Sequence, residues 1–363
     1  MALPWRRLSA LAAMSISVGA PGAELAVGAT GIQHDVIFTQ YSPMSRSTEV
    51  MLRLLSPLAN AEVARVLAQS AAGLREQAID LSMETFDVYV PPTPPPGGYA
   101  LLVFIPPGQK SYLPAGWASV LNKHGVIFVS ASKSGNEENV LDRRIPLALL
   151  GAFNMMQSYP IAQDRVYIGG FSGGSRVAMR VALGYPDLFH GAVLNAGSDR
   201  LGTEQLILPA ADLFKRFQGS TRLVYVTGSE DSWIIQSDIA SRESAYELCV
   251  FGTVTGTMIR AGHEIADPSS LDRALGALAA RVAPDEAKLA ACRVHLEKAM
   301  SEKLRSVKEL LDRNKFHDAS KLLTKIDIQY GGLAAPESIN LAGRIKDQPR
   351  PDPAAGSANQ GAQ

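Results

Sequence analysis

Cysteine is nearly absent from this 363-residue chain, with Cys249 and Cys292 the only two. A disulfide-dense scaffold is therefore excluded. One bridge remains open, joining the late sheet region to a helical tail. Two buried free thiols are the alternative, because only the fold decides whether the sulfurs meet. No Cys/His cluster has the spacing of metal ligands, so no metal is expected. Charge of either sign is not in excess: 35 basic and 35 acidic residues give a formal net charge of zero. No basic stripe points to nucleic acid or to an anionic membrane surface. Long apolar runs are missing too. The stretch at residues 8–18 is too short to cross a bilayer comfortably, and it follows Arg6-Arg7. Residues 1–23 therefore read as an export signal, with cleavage expected near 18–20 or at Ala23. The arginine pair lacks the rest of a twin-arginine motif, and no cysteine follows for lipid attachment. The chain is expected to be secreted or periplasmic without a stable membrane anchor. A short uncleaved anchor is the alternative.

What the chain does contain is Gly170-Phe171-Ser172-Gly173-Gly174, directly after the apolar run Val166-Tyr167-Ile168 and before a helix-competent segment at 176–182. Strand, tight turn and helix form the context in which a G-x-S-x-G sequence becomes a nucleophile elbow. A sharp turn needs small neighbours, which the glycines supply. The helix N-terminus behind the serine favours a developing anion. The elbow has no lysine in phosphate-loop position, which argues against a nucleotide site. Taken alone, the pentapeptide could also be an ordinary glycine-rich turn.

A serine nucleophile needs a base and an orienting acid. Downstream, the apolar run at 223–226 leads into Thr227-Gly228-Ser229-Glu230-Asp231, and the run at 254–259 leads into Arg260-Ala261-Gly262-His263-Glu264. Serine, acid and histidine thus follow three separate strands in the order that this kind of elbow requires. Asp231 is the preferred acid and its neighbour Glu230 the alternative. Of the six histidines, His34 precedes the expected catalytic unit. His124 and His190 lie in helix-to-strand connections, and His295 and His317 in a charged helical tail. His263 alone follows a late strand.

These three segments carry a resemblance. The chain is similar, over residues 84–281, to the α/β-hydrolase superfamily, and within it to secreted esterases of the polyhydroxybutyrate-depolymerase and feruloyl-esterase type. The resemblance implies a serine nucleophile at Ser172, an acid at Asp231, a base at His263 and no cofactor. It implies oxyanion donors from the backbone of Gly173 and of the loop after the third family strand, where Gln109 is preferred. Members often carry a His-Gly pair in that loop. This chain has Ile105-Pro106-Pro107-Gly108-Gln109, with the glycine and without the histidine. The motifs are specific for the superfamily and poor for the substrate, so a small-molecule or polymeric ester is expected.

The sheet is traceable from the residues as well. Apolar or β-branched runs occur at 86–90, 101–105, 126–129, 166–168, 192–194, 223–226 and 254–259. Helical patterns at 115–122, 144–157, 175–183 and 235–248 separate most of them, predicting a mostly parallel sheet covered on both faces. Between 198 and 220 there is room for one short helix at 210–217, not for a large lid. Residues 24–83 are expected to form an N-terminal helical extension built on a helix at 61–77, capped by Asn60, with Val63, Val66, Leu67 and Leu74 on one face. The α/β-hydrolase catalytic unit spans 84–282. Residues 283–345 read as a tetratricopeptide-like helical hairpin (284–313 and 316–326) plus a third helix at 336–345, docked on the catalytic unit. A protein partner for these helices is a second possibility. Residues 346–363 have the composition of a disordered tail.

The expected activity is cleavage of carboxylic esters by an exported serine hydrolase. Two alternatives stay open at this stage. One is a serine peptidase of the prolyl-oligopeptidase kind, although no propeller repeat is visible. The other is a hydrolase fold kept as a binding scaffold.

Overall fold

The computed structural model describes residues 22–26, 28–70, 73–280 and 285–347. The expected export signal and the low-complexity tail fall almost wholly outside the described residues. Among the described residues nine strands join in one sheet: β1 (Ala23–Glu24), β2 (Gly31–Ile37), β3 (Phe86–Val90), β4 (Tyr99–Ile105), β5 (Val126–Ala131), β6 (Ile161–Phe171), β7 (Gly191–Asn195), β8 (Arg222–Gly228) and β9 (Thr253–Met258). Their spatial order is β1-β2-β3-β5-β4-β6-β7-β8-β9. Strand β3 runs antiparallel to both β2 and β5. Every other pair is parallel. This is the α/β-hydrolase architecture expected from the sequence.

Eleven helices accompany the sheet among the described residues: α1 (Ser47–Leu54), α2 (Pro57–Ala68), α3 (Trp117–His124), α4 (Ile145–Ser158), α5 (Gly173–Gly184), α6 (Ala211–Ser220), α7 (Ser232–Glu247), α8 (Pro268–Ala279), α9 (Glu286–Asp312), α10 (Phe316–Tyr330) and α11 (Glu337–Lys346). Side-chain alternation sorts the central strands into two cores. Leu101, Val103 and Ile105 of β4 pack with Leu149 of α4, Val177 of α5 and Phe214 of α6. Leu102 and Phe104, between them in sequence, pack with Trp117 of α3 and Leu271 of α8 on the other face. Burial on both faces explains why these strands are apolar throughout rather than alternating.

The segment at 24–83 differs from the expected helical extension. It contributes β2, which pairs with β3 through Gly31 and Val90 and extends the main sheet. The apolar–polar alternation of Gly31-Ile32-Gln33-His34 is too mixed to reveal a strand on its own. The helix lies at Pro57–Ala68 instead of 61–77. Ser56 caps it, accepting the Ala59 N–H, and Pro57 stands in its first turn, where its missing N–H costs nothing. Asn60 sits inside the helix and donates to the carbonyls of Leu52 and Leu55. The expected apolar face is not a core face: Val66 is about half exposed and Leu74 is also exposed. Arg53 at the end of α1 holds this region to the sheet unit by a two-pronged bond to Asp187, at 2.6 and 2.9 Å.

The C-terminal helices form an antiparallel pair, α9 and α10, completed by α11. Met300, Leu304, Val307, Leu323, Ile326 and Leu341 make an interior of their own, with Leu58 of α2 packed against it. Most of this interior comes from the hairpin itself, and Leu341 of α11 and Leu58 of α2 close it. Cys249 and Cys292 are joined by a disulfide, tying α9 to the segment after α7. Arg293 of α9 donates to the Gln218 side chain at 2.8 Å and to the Lys215 carbonyl at 2.9 Å.

Candidate functional site

The backbone of the elbow is forced into an unusual conformation. Ser172 has φ +56° and ψ −122°, a region that a residue with a β-carbon enters only under constraint. The constraint is tight packing. A β-carbon on Gly170 would stand 2.4 Å from the Gly174 carbonyl group, and one on Gly174 would stand 2.0 Å from the Ile105 oxygen. Glycine at both positions lets β6, α5 and the end of β4 meet. Ser172 N–H donates to the Asn195 carbonyl at 2.9 Å, so β7 holds the turn from the other side.

The segments that carry Asp231 and His263 arrive from β8 and β9 as one hydrogen-bonded unit. Ser229 N–H donates to Met258 O, Glu230 N–H to Ala261 O and Arg260 N–H to Ser229 Oγ, each at 2.9 Å. Asp231 caps α7, accepting the Ile234 N–H. Its other oxygen lies 2.7 Å from His263 Nδ1, and His263 Nε2 lies 2.9 Å from Ser172 Oγ. With Nδ1–H donating to the carboxylate, Nε2 is the acceptor for the serine O–H. The Asp231 side chain is 10% exposed and the His263 side chain 44% exposed. The carboxylate is thus sheltered while the imidazole edge meets solvent. The Phe171 ring packs against the imidazole, with 5.1 Å between centroids. Glu230, the alternative acid, is exposed.

The expected oxyanion residues occupy the same edge. Gly173 opens α5, so its N–H has no partner within the helix. Gln109 lies beyond β4. Its carbonyl accepts the Lys133 N–H, and its side-chain amide donates to Glu137 and Glu138 at 3.1 and 3.0 Å. The connection from β7 to β8 carries α6 as its regular element, which leaves the histidine open to solvent. Two large apolar side chains close in sequence to these segments are exposed: Trp233, two residues after Asp231, at 80%, and Ile259, just beyond β9, at 81%.

The other histidines stay away from this group. His124 pairs with Asp272 at 2.6 Å and His34 with Asp87 at 3.2 Å. Burial pulls the His190 imidazole below its ordinary value, with the nearby Arg216 charge acting in the same direction.

Several supporting residues escape motif reading. Asn195 is buried at the end of β7. Its side chain accepts the Ala266 N–H at 2.7 Å and donates to the Glu264 carbonyl at 3.2 Å. Trp117 Nε1 donates to the Ala266 carbonyl at 2.8 Å. Asp238, buried in α7, accepts the Ser198 and Thr227 hydroxyls at 2.6 and 2.5 Å. The one signal in the sequence is a polar residue closing an apolar strand, as Asn195 does after Val193-Leu194.

No family model matches the chain, and no curated protein matches it. Among solved structures, it is similar to an acetyl xylan esterase from Aspergillus awamori, at 14% identity and a TM-score of 0.42, over 54% of this chain and 95% of that one. A thermostable esterase is similar at 14% identity and a TM-score of 0.36, over 53% of this chain and 56% of that one. The dipeptidyl peptidase 4 of Porphyromonas gingivalis is similar at 13% identity and a TM-score of 0.39, over 54% of this chain and 33% of that one. This chain thus spans little more than half of the thermostable esterase and a third of the peptidase. The chain's own topology and elbow place it in the α/β-hydrolase fold class.

Proposed function

We propose that the chain is an exported serine hydrolase that cleaves carboxylic esters through an acyl-enzyme. The observation that carries this reading is the continuous hydrogen-bonded set of Ser172, His263 and Asp231, at 2.9 and 2.7 Å, with the serine held at positive φ on a helix N-terminus. Ser172 Oγ attacks the acyl carbon while His263 Nε2 takes its proton. Asp231 keeps the imidazole in the required tautomer and stabilises its charged form. The N–H groups of Gly173 and Gln109 receive the carbonyl oxygen as it gains charge. The imidazolium gives its proton to the leaving alkoxide, so an alcohol departs. Water, deprotonated by the same imidazole, then attacks the acyl carbon, Ser172 regains its proton, and a carboxylic acid is released. No cofactor takes part.

The open histidine supports a substrate that reaches the site without a large lid. Exposed Trp233 and Ile259 offer apolar surface for an ester's hydrocarbon portion. The disulfide between Cys249 and Cys292 supports an oxidising compartment, in keeping with export. Among the described residues no helix is long and apolar enough to cross a membrane.

The test compares a short nitrophenyl ester with a nitroanilide of the same acyl group, alongside fluorophosphonate labelling. The wild-type protein should take one label at Ser172 and turn over the ester far faster than the amide. Ser172→Ala should do neither while remaining folded. Faster amide cleavage would favour the peptidase reading, and a folded wild-type protein that neither labels nor turns over would favour a binding scaffold.

A further inference from the structure

A side chain outside the expected set lies against the elbow. A β-carbon placed on Gly173 would stand 2.3 Å from Asn136 Oδ1, 2.8 Å from its Cγ and 3.0 Å from its Nδ2. The Asn136 carboxamide therefore fills the space that any larger residue after Ser172 would take. It comes from the loop after β5, not from the elbow or the Gln109 loop. Asn136 is exposed, and among the described residues its side chain has no hydrogen-bond partner. A carboxamide beside the Cα of Gly173, with its N–H donors unused among the described residues, is available to a substrate.

The backbone position of Asn136 is fixed by three separate devices. Asn136 N–H donates to the Pro107 carbonyl at 2.9 Å. Gly135 packs onto the Gln109 loop so closely that a β-carbon there would stand 2.8 Å from the Gly108 carbonyl carbon and 3.0 Å from Gln109 N. The buried guanidinium of Arg144 clamps both loops at once, donating to the Ser134 carbonyl at 2.9 Å and to the Pro106 carbonyl at 3.1 Å. Segments 106–109 and 133–138 thus form one unit over the start of α5. These contacts fix the backbone that presents the carboxamide, which lowers the cost of bringing a donor to developing charge.

We propose that the Asn136 carboxamide is a third donor to the oxygen of the substrate's carbonyl group, acting beside the backbone of Gly173 and Gln109. The inference rests on the serine-hydrolase reading above. The carboxamide occupies the side of the elbow that a larger residue at 173 would take, and its Nδ2–H, 3.0 Å from that position, is the donor assigned. This gives the glycine at 173 a function beyond the turn: it leaves room for a side-chain donor supplied by another loop.

Asn136→Ala removes the donor, and Asn136→Asp keeps the shape but faces the developing anion with a carboxylate. With a short nitrophenyl ester, Asn136→Ala should lower kcat about 10- to 100-fold, somewhat below the loss seen when a principal oxyanion donor is removed. KM should change little, and the melting temperature should match wild type because the side chain is exposed. Asn136→Asp should lose more than Asn136→Ala. A loop-packing role alone would make the isosteric aspartate the milder change. Both folded variants within twofold of wild-type kcat, or the aspartate as the milder variant, would overturn the proposal. A wild-type protein that fails to label at Ser172 would instead overturn the hydrolase reading, so the two failures are distinguishable.

Discussion

Asn195 Oδ1 accepts the backbone N–H of Ala266 at 2.7 Å, and through this bond the end of β7 holds the loop that carries His263. The same residue's carbonyl accepts the Ser172 N–H at 2.9 Å. One buried asparagine therefore fixes the elbow with its backbone and the histidine loop with its side chain. Asn195→Ala should leave the Ala266 N–H without its acceptor, at a cost of about 1–3 kcal/mol. It should also lower kcat more than it changes KM, because the imidazole loses its support. Asn195→Asp should be worse, since a carboxylate would face the carbonyls of Val226 and Glu264, which now accept from Nδ2. Denaturant unfolding together with ester kinetics measures both effects. Wild-type stability in both variants would show that the loop is held by other contacts.

Asp231 has two tasks that substitution can separate. It caps α7 and it accepts from His263. Asparagine caps a helix about as well as aspartate, so Asp231→Asn should leave the melting temperature nearly unchanged. It should still reduce kcat by up to about 10⁴-fold, because the amide permits the wrong imidazole tautomer. Glu230→Gln should be mild, as that side chain is exposed. If Glu230→Gln abolishes activity and Asp231→Asn does not, the acid has been placed one residue too late.

Seven strands of the sheet and the order of serine, acid and histidine were legible because each depends on local pattern. Buried strands such as Leu101 to Ile105 are apolar throughout, and the elbow needs its small residues adjacent in sequence. The first two strands were not legible. Strand β2 gains its stability from pairing with β3 across more than fifty residues, and a helical propensity at 61–77 is no guide to where the chain turns. The supporting residues were illegible for a related reason. Asn136 meets the elbow only because the fold lays its loop against Gly173, and Asn195 meets the histidine loop only because that loop crosses it. Nothing adjacent to either in sequence announces that contact.

Asp238 should give the fold a measurable pH dependence. Burial pushes its carboxyl above the ordinary 3.8, and the hydroxyls of Ser198 and Thr227 and the charges of Arg242 and Arg176 only partly oppose this. The folded state therefore favours the protonated form. The associated stability is fully present below the unfolded pKa and is lost as pH rises through the folded value. Asp238→Asn cannot ionise, and its amide can still accept from one hydroxyl and donate to the other. Its melting temperature relative to wild type should rise as pH is raised from about 3 towards 6. A constant difference across that range would mean that Asp238 titrates alike in the folded and unfolded chain.

The helices α9 to α11 bear on stability rather than on the proposed chemistry. They share an interior with one another and with Leu58 of α2, and they are fastened by the disulfide and by Arg293. The disulfide joins residues 43 apart, so replacing both cysteines by serine should cost about 2–4 kcal/mol, mostly by loosening the unfolded chain. Cys249 is fully buried, so part of the loss will come from placing a serine hydroxyl there, and reduction of the wild-type protein is the cleaner comparison. Deleting the chain from residue 283 goes further. It uncovers Leu58 and the α6 surface that Arg293 contacts, so solubility and melting temperature should both fall. Ser172 should still react with a fluorophosphonate in any folded fraction, because Ser172, Asp231 and His263 all lie outside the deleted part. A truncated protein as stable and soluble as the full chain would show that these helices stand independently, and their outer faces would then be the place to look for a protein partner.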